Sequence, residues 1–315
     1  MDMSEATPLS RRRFLLSAGV LGTAAWLTPG SLAAQETIPE MARRGAATAT
    51  IGVRRLRGGL AVLNGSGGNI TVLPGPDGVL LIDSGIVGSK VAAAVATLTR
   101  APIRHVVNTH WHFDHTDANG WLAQRGAVVM AHKNTRSRLS RDTRVEDWSF
   151  TFRRTPPAAL PRTVFQTDRT LELNGTRVAL APYAPGHTDT DVVAHFAGAD
   201  VISTGDTWWN ATYPFIDYST GGGIRGMIAA MERTLARASA TTLIVPGHGD
   251  VAGRAELSRD VDTLVAIRDR VAALKREGRT VAEAVAAKPT APYDRRMNHA
   301  VISPDFFTRL VYKGV

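Results

Sequence analysis

The 315-residue chain contains no cysteine. No disulfide can brace it, and no metal site in it can rest on thiolate ligands. Long apolar runs are missing too. The moderately apolar stretch from Phe14 to Leu27 holds about 14 residues, against roughly 20 for a bilayer-spanning helix, so no stable membrane anchor is expected. Acidic residues are outnumbered, 28 to 37, which leaves a net charge of +9. Basic residues concentrate from Lys133 through Arg138 to Arg154, and again from Arg268 to Arg279. Such stretches attract anionic substrates, lipid head groups or nucleic acid. Aromatic residues make up only 6% of the chain and do not interleave with the basic clusters. A nucleic-acid stacking platform is therefore not expected, and the clusters read as solvated surface. A hydrophobic content of 44%, with Gly and Pro dispersed throughout, describes a globular chain large enough for one sizeable core.

Against these absences stands one dense feature. The run His110-Trp111-His112-Phe113-Asp114-His115 places three of the nine histidines beside a carboxylate. Imidazole and carboxylate are good ligands for zinc and similar divalent ions. Alternate residues of an extended segment share a side, so His110 and His112 can grip one metal. Asp114 and His115 are displaced onward, where a second metal can sit. The apolar stretch Ile103–Asn108 before the run reads as a buried strand, which puts the run at a strand's carboxyl end, where open α/β sheets place their sites. Three more segments repeat this layout: His187 follows Pro185-Gly186, Asp206 follows Gly205, and His248 follows Pro246-Gly247. Each comes after an apolar run, beside a Gly that permits the tight turn into a shared cleft.

In that order, these residues resemble the metallo-β-lactamase superfamily, with its His-x-His-x-Asp-His run followed by His, then Asp or Cys, then His. The resemblance covers about residues 48 to 250. It implies that His110, His112 and His187 hold a first metal, that Asp114, His115 and His248 hold a second, and that Asp206 bridges them. Asp83, in Leu80-Leu81-Ile82-Asp83, corresponds to an acid standing behind the ligands at a strand end. The implied fold is α+β, a four-layer αββα sandwich of two mixed sheets flanked by helices. The implied cofactor is Zn2+, two per chain.

Strand-like and helix-like segments agree with this layout. Residues 48–85 alternate between Gly-rich turns and read as three antiparallel strands. Ser89–Thr99 reads as a helix, 103–108 and 126–131 as strands, and 133–165 as an irregular insertion or lid. Four strands are expected over 169–205, with His187 between the second and third. A helix at 223–240, a strand at 241–245 and a helical segment over 255–315 complete the domain, taken as 48–315. Residues 35–47 are expected to be a linker. The start, Ser10-Arg11-Arg12-Arg13-Phe14-Leu15-Leu16, resembles a twin-arginine export signal over 1–34, cleaved near Ala33 or Ala34. It implies the twin-arginine machinery as partner and a bacterial periplasmic or secreted location.

Two metals on the order of 3.5 Å apart share one water and lower its pKa towards 7. The expected chemistry is therefore attack of a bridging hydroxide on a carbonyl, with Asp114 orienting it or moving its proton. The substrate is a small molecule: an ester, thioester, lactone or β-lactam. Asp206 bears on this choice. One major lactamase subclass has Cys there and Lys three residues later, where this chain has Trp209. A bridging Asp is the pattern of glyoxalase II-type thioesterases and lactonases, which places efficient β-lactam turnover in question. Trp208, Trp209, Asn210 and Tyr213 follow Asp206 and are expected to line the cleft, with Trp208, Asn210 and Tyr213 as candidate substrate contacts. Trp111 and Phe113 are expected to pack, and His105, His132, His195 and His299 to stay outside the metal site. The alternative with the same ligand letters is a mononuclear iron sulfur (persulfide) dioxygenase.

Overall fold

Residues 36–315 are described by a computed structural model, so the expected export signal lies outside the described residues. The strands run β1 (Gly52–Arg55), β2 (Ala61–Asn64), β3 (Ile70–Leu73), β4 (Val79–Ile82), β5 (Ile103–Asn108), β6 (Val128–His132), β7 (Thr143–Val145), β8 (Phe150–Phe152) and β9 (Thr163–Phe165) in the first half. The second half has β10 (Arg169–Leu173), β11 (Thr176–Pro182), β12 (Val192–Phe196), β13 (Val201–Trp209) and β14 (Leu243–His248). The helices are α1 (Ile38–Thr48), α2 (Gly88–Ala96), α3 (Phe113–Thr116), α4 (Asn119–Ala123), α5 (Lys133–Leu139), α6 (Ile224–Arg237), α7 (Arg254–Arg276), α8 (Val281–Ala286) and α9 (Pro304–Gly314).

Two sheets form. One has the order β1-β2-β3-β4-β5-β6-β9 and the other β10-β11-β12-β13-β14. Both are mixed: β4, β5, β6 and β9 run parallel to their neighbours, as do β13 and β14, and the remaining pairs in the two sheets are antiparallel. Strand β4 shows why the sheets stack. Its residues Val79-Leu80-Leu81-Ile82 are apolar on both faces and wholly buried, the pattern of a strand covered on both sides. Leu80 and Ile82 meet Leu180, Val192 and Val201 of the other sheet, while Val79 and Leu81 meet Val91 and Val95 of α2. On the far side Ile202 and Ile244 pack against α6, α7 and α9 through Met227, Leu264 and Phe307. The four layers are thus helix, sheet, sheet, helix.

Three local expectations need correction. Residues 48–85 hold four strands, because the short β1 at Gly52–Arg55 pairs with β2 as an exposed edge. The expected linker at 35–47 contains α1, whose Thr37 N–H and hydroxyl both go to Glu40 Oε2. Arg43 of α1 pairs with Asp117 and lies 4.8 Å over the Phe113 ring, so this helix is docked on the motif-bearing loop. The stretch 133–165 is not irregular: it forms α5, the β7–β8 hairpin and β9, which completes the larger sheet beside β6. Short strands rich in Arg and Pro carry too little apolar periodicity to be seen alone.

Candidate metal centre

Every motif comes out at one end of the sandwich. Strand β5 stops at Asn108, and the chain turns through Thr109-His110-Trp111 to His112, which precedes α3 with Asp114 and His115. Asp83 lies just past the neighbouring parallel strand β4 with φ 69°. Asp tolerates this left-handed conformation, and here it aims the carboxylate back at the run. Its two oxygens accept the Thr109 N–H at 2.7 Å, the Thr109 hydroxyl at 2.8 Å and His115 Nδ1–H at 2.8 Å. His187 lies on the β11–β12 connection, as expected. Asp206 and His248 stand inside the ends of β13 and β14, so those strands run further than the sequence indicated. Gly247 is required at this point, because a Cβ there would sit 1.9 Å from Asp206 Oδ1.

The donor atoms form two groups, each within 4.8 Å: His110, His112, His187 and Asp206; and Asp114, His115 and His248. Asp206 stands between them. Its Oδ1 is 3.1 Å from His115 Nε2, and its Oδ2 is 3.6 Å from His187 Nε2, 3.8 Å from His110 Nε2 and 3.4 Å from His248 Nε2. Asp114 Oδ2 is 3.2 Å from His248 Nε2.

Hydrogen bonding settles which nitrogen of each ring carries the proton. His115 Nδ1–H donates to Asp83, His112 Nε2–H to Asp217 at 3.0 Å, and His187 Nδ1–H to the Phe215 carbonyl at 2.8 Å. The Thr109 hydroxyl donates to Asp83, so its lone pair accepts His110 Nδ1–H at 3.0 Å. Wherever one of these four rings is neutral, its inward nitrogen is then bare. His112 Nδ1 and His187 Nε2 face each other at only 2.8 Å. With the outer protons fixed, two neutral rings set lone pair against lone pair there, so the contact calls for a proton or a metal cation at the pair. Buried His110 Nε2, His115 Nε2, His248 Nε2 and Asp206 Oδ1 also make no hydrogen bond. Orphaned buried donors and acceptors of this kind are costly. The residues fit divalent cations in both groups.

The two groups differ electrostatically. Burial drives His110 well below its ordinary range and lowers His187 to about 4, so both are neutral near pH 7. Burial also works against charge on His115 and His248, but Asp206 and Asp114 outweigh it, raising His115 strongly and His248 to about 9. Burial pushes Asp206 upward, and His248, His115 and His110 overcome it, holding the carboxyl well below its usual range.

A sequence profile of the metallo-beta-lactamase superfamily matches residues 63–256. The chain belongs to this superfamily. Its sequence is 27% identical over 180 residues to the hydroxyacylglutathione hydrolase of Polaromonas sp., covering 55% of this chain and 59% of that relative. The chain thus spans less than two thirds of that relative's length. The fold is similar to that of the metallo-beta-lactamase from Pontibacter korlensis, with TM-score 0.56, 18% identity, 68% of this chain and 98% of that chain. It is also similar to the stereoselective inverting sec-alkylsulfatase from Pseudomonas sp., with TM-score 0.63, 16% identity, 89% of this chain and 53% of that chain. At such identities the structural likeness establishes the fold alone.

Within this superfamily fold, the expected substrate contacts stand elsewhere. Trp208 is 1% exposed and donates its indole N–H to Asp260. Tyr213 is fully buried, stacked on Phe307, with its hydroxyl on Asp294. Asn210 donates its amide to the Asp250 carbonyl. These three bind the loop to its own protein. Trp111 and Phe113 pack as expected, and His132 Nδ1 accepts the Asn134 N–H at the start of α5. Trp209 stands beside the centre, its ring 4.2 Å from that of His248, whereas Trp148, whose ring lies 5.2 Å from that of His112, was missed. Asp217 was missed entirely, since Phe215-Ile216-Asp217 carries no motif.

Proposed function

We propose that the chain is a dinuclear zinc hydrolase that cleaves a carbonyl derivative of a small molecule: an ester, thioester, lactone or amide, β-lactams included. One observation carries this reading. Seven side chains converge as two complete donor groups sharing Asp206, and the inward nitrogens of His110, His115 and His248 have no hydrogen-bond partner. When bound, a pair of divalent cations makes hydroxide available at neutral pH and polarises a carbonyl oxygen. The chain's own residues do the rest. His110, His112 and His187 are enclosed, whereas the side chains of His248 and Asp114 are 26% and 12% exposed. Substrate therefore approaches over Asp114 and His248, beside Trp209. Asp114 is placed to hold a proton from water and deliver it to the leaving group.

The relative named for hydroxyacylglutathione hydrolysis and the bridging carboxylate both favour acyl transfer to water. The completeness of the second donor group argues against the mononuclear iron dioxygenase. We propose twin-arginine export to the periplasm or beyond, supported by Arg11-Arg12-Arg13 and the short apolar stretch that follows; no helix among the described residues is long and apolar enough to cross a membrane. Elemental analysis of the purified chain, followed by a panel of β-lactams, thioesters, lactones and phosphodiesters, tests the activity. Two zinc per chain and carbonyl hydrolysis are expected. One iron with oxygen uptake overturns it.

A further inference from the structure

We infer that Asp217 is the positioning residue for the first donor group, fixing His112 as Asp83 fixes His115. This rests on the metal-dependent reading above and assigns the site a second, separate control. Asp217 is fully buried. Its Oδ2 accepts His112 Nε2–H at 3.0 Å and the Thr220 hydroxyl at 2.6 Å, and its Oδ1 accepts the Thr220 N–H at 3.2 Å. The Thr220 oxygen in turn accepts the Trp111 indole N–H at 3.1 Å. A closed chain of bonds therefore runs from Trp111 through Thr220 and Asp217 to His112, holding both ends of the His-x-His segment's second step.

The same short segment also holds His187. Asp217 N–H donates to the His187 carbonyl at 3.0 Å, and the Phe215 carbonyl takes His187 Nδ1–H. Residues 215–217 thus orient two ligands of the first group, whereas Asp83, from β4, orients His115 of the second. The outward proton on His112 is what leaves Nδ1 bare towards His187. A carboxylate acceptor does more than an amide would, because its charge makes the imidazole a stronger donor and offsets a cation in a buried space. Acting only as a cap for the Tyr218–Thr220 turn would require the Oδ1 bond alone; the Oδ2 bond to His112 serves the ligand.

The test is a cation titration of the metal-stripped full chain, with Co2+ followed by its visible absorption and Zn2+ by calorimetry. Wild type, Asp217→Asn, Asp217→Ala and Asp83→Asn are compared, each also in a His248→Ala background where the remaining event reports the first group. Circular dichroism checks folding. Asp217→Ala is expected to weaken the first-group event about 10–100-fold and to alter its cobalt spectrum, leaving the second unchanged. Asp217→Asn keeps an acceptor for His112 and is expected to fall between. Asp83→Asn is expected to act on the other event. Two unaltered events in folded Asp217→Ala overturn this assignment alone, as does equal weakening of both. A wild-type chain that takes up no divalent cation overturns the hydrolase reading and this assignment together.

Discussion

Four of the five histidines of the centre are used at both ends of the ring, and the outer partner decides what the inner nitrogen can do. Asp83, Asp217, Phe215 and Thr109 take the outer protons, so the inner lone pairs converge without protons of their own. Such convergence calls for positive charge at the centre, supplied by protons or by metal cations. Asp114 differs from the other carboxylates in facing the open side. Asp114→Asn should lower kcat about 10²–10⁴-fold with an unchanged circular dichroism spectrum; a parent rate would remove it from proton transfer. Gly247 acts by what it leaves out. In Gly247→Ala the new Cβ must displace Asp206, so the metal-to-protein ratio from elemental analysis should fall. The ligands themselves were legible as residues because His and Asp beside Gly after apolar runs have few other uses. Asp217 was not, because a lone Asp in a loop becomes a ligand's partner only once the loop is folded against it.

Elements outside the motif close the centre. The β7–β8 hairpin is tied down by Glu146 N–H to Ser219 Oγ and by the Asp147–Lys313 pair with α9. Directly after those anchors it presents Trp148 to His112, stacked at 4.3 Å on Phe215. The hairpin is one part of the stretch 133–165 that the sequence suggested as an insertion or lid. Trp148→Ala should cost about 2 kcal/mol of stability, less than a fully buried Trp, and should raise KM more than it lowers kcat; thermal melts and steady-state kinetics check both. Helix α1 braces the opposite flank through Arg43, which combines a half-exposed pair to Asp117 with a place over Phe113. Arg43→Ala should cost on the order of 1 kcal/mol, visible as a lowered Tm. Neither contact has a sequence signature, since both depend on which distant surface the element meets.

For the molecule as a whole, protons and cations compete at one donor group and hardly at the other. His187, lowered to about 4 by burial, and His110, which burial holds well below its usual range, already offer bare nitrogens near pH 7. His248, raised to about 9 by Asp206 and Asp114 against burial, holds a proton through the neutral range until a cation displaces it. Cation binding at the second group therefore releases protons, and its affinity should climb with pH up to about 9, a dependence to which His110 and His187 add nothing in the neutral range. Dialysis at pH 5.5 and at pH 8, followed by metal analysis, should show the second group emptying first in acid; equal loss from both contradicts this asymmetry. Cations bound only by the folded chain also stabilise it, by about 2.7 kcal/mol at a hundred times Kd. Chelation should lower Tm accordingly.

Local chemistry determined much of this protein from sequence alone. The His110–His115 run and the Gly-flanked His187, Asp206 and His248 carry their meaning in neighbouring residues, because ligand spacing and turn chemistry are short-range properties. The four-layer stacking was what the family resemblance implied, and the order of strand-like and helix-like segments agreed with it. Tertiary structure alone decided the rest: which protons the rings keep, that Trp208 and Tyr213 face inward to Asp260 and Phe307, that Trp148 covers the first group, and that Asp217 stands behind His112. Those facts join residues far apart in the chain, and only the folded packing brings them within hydrogen-bonding reach.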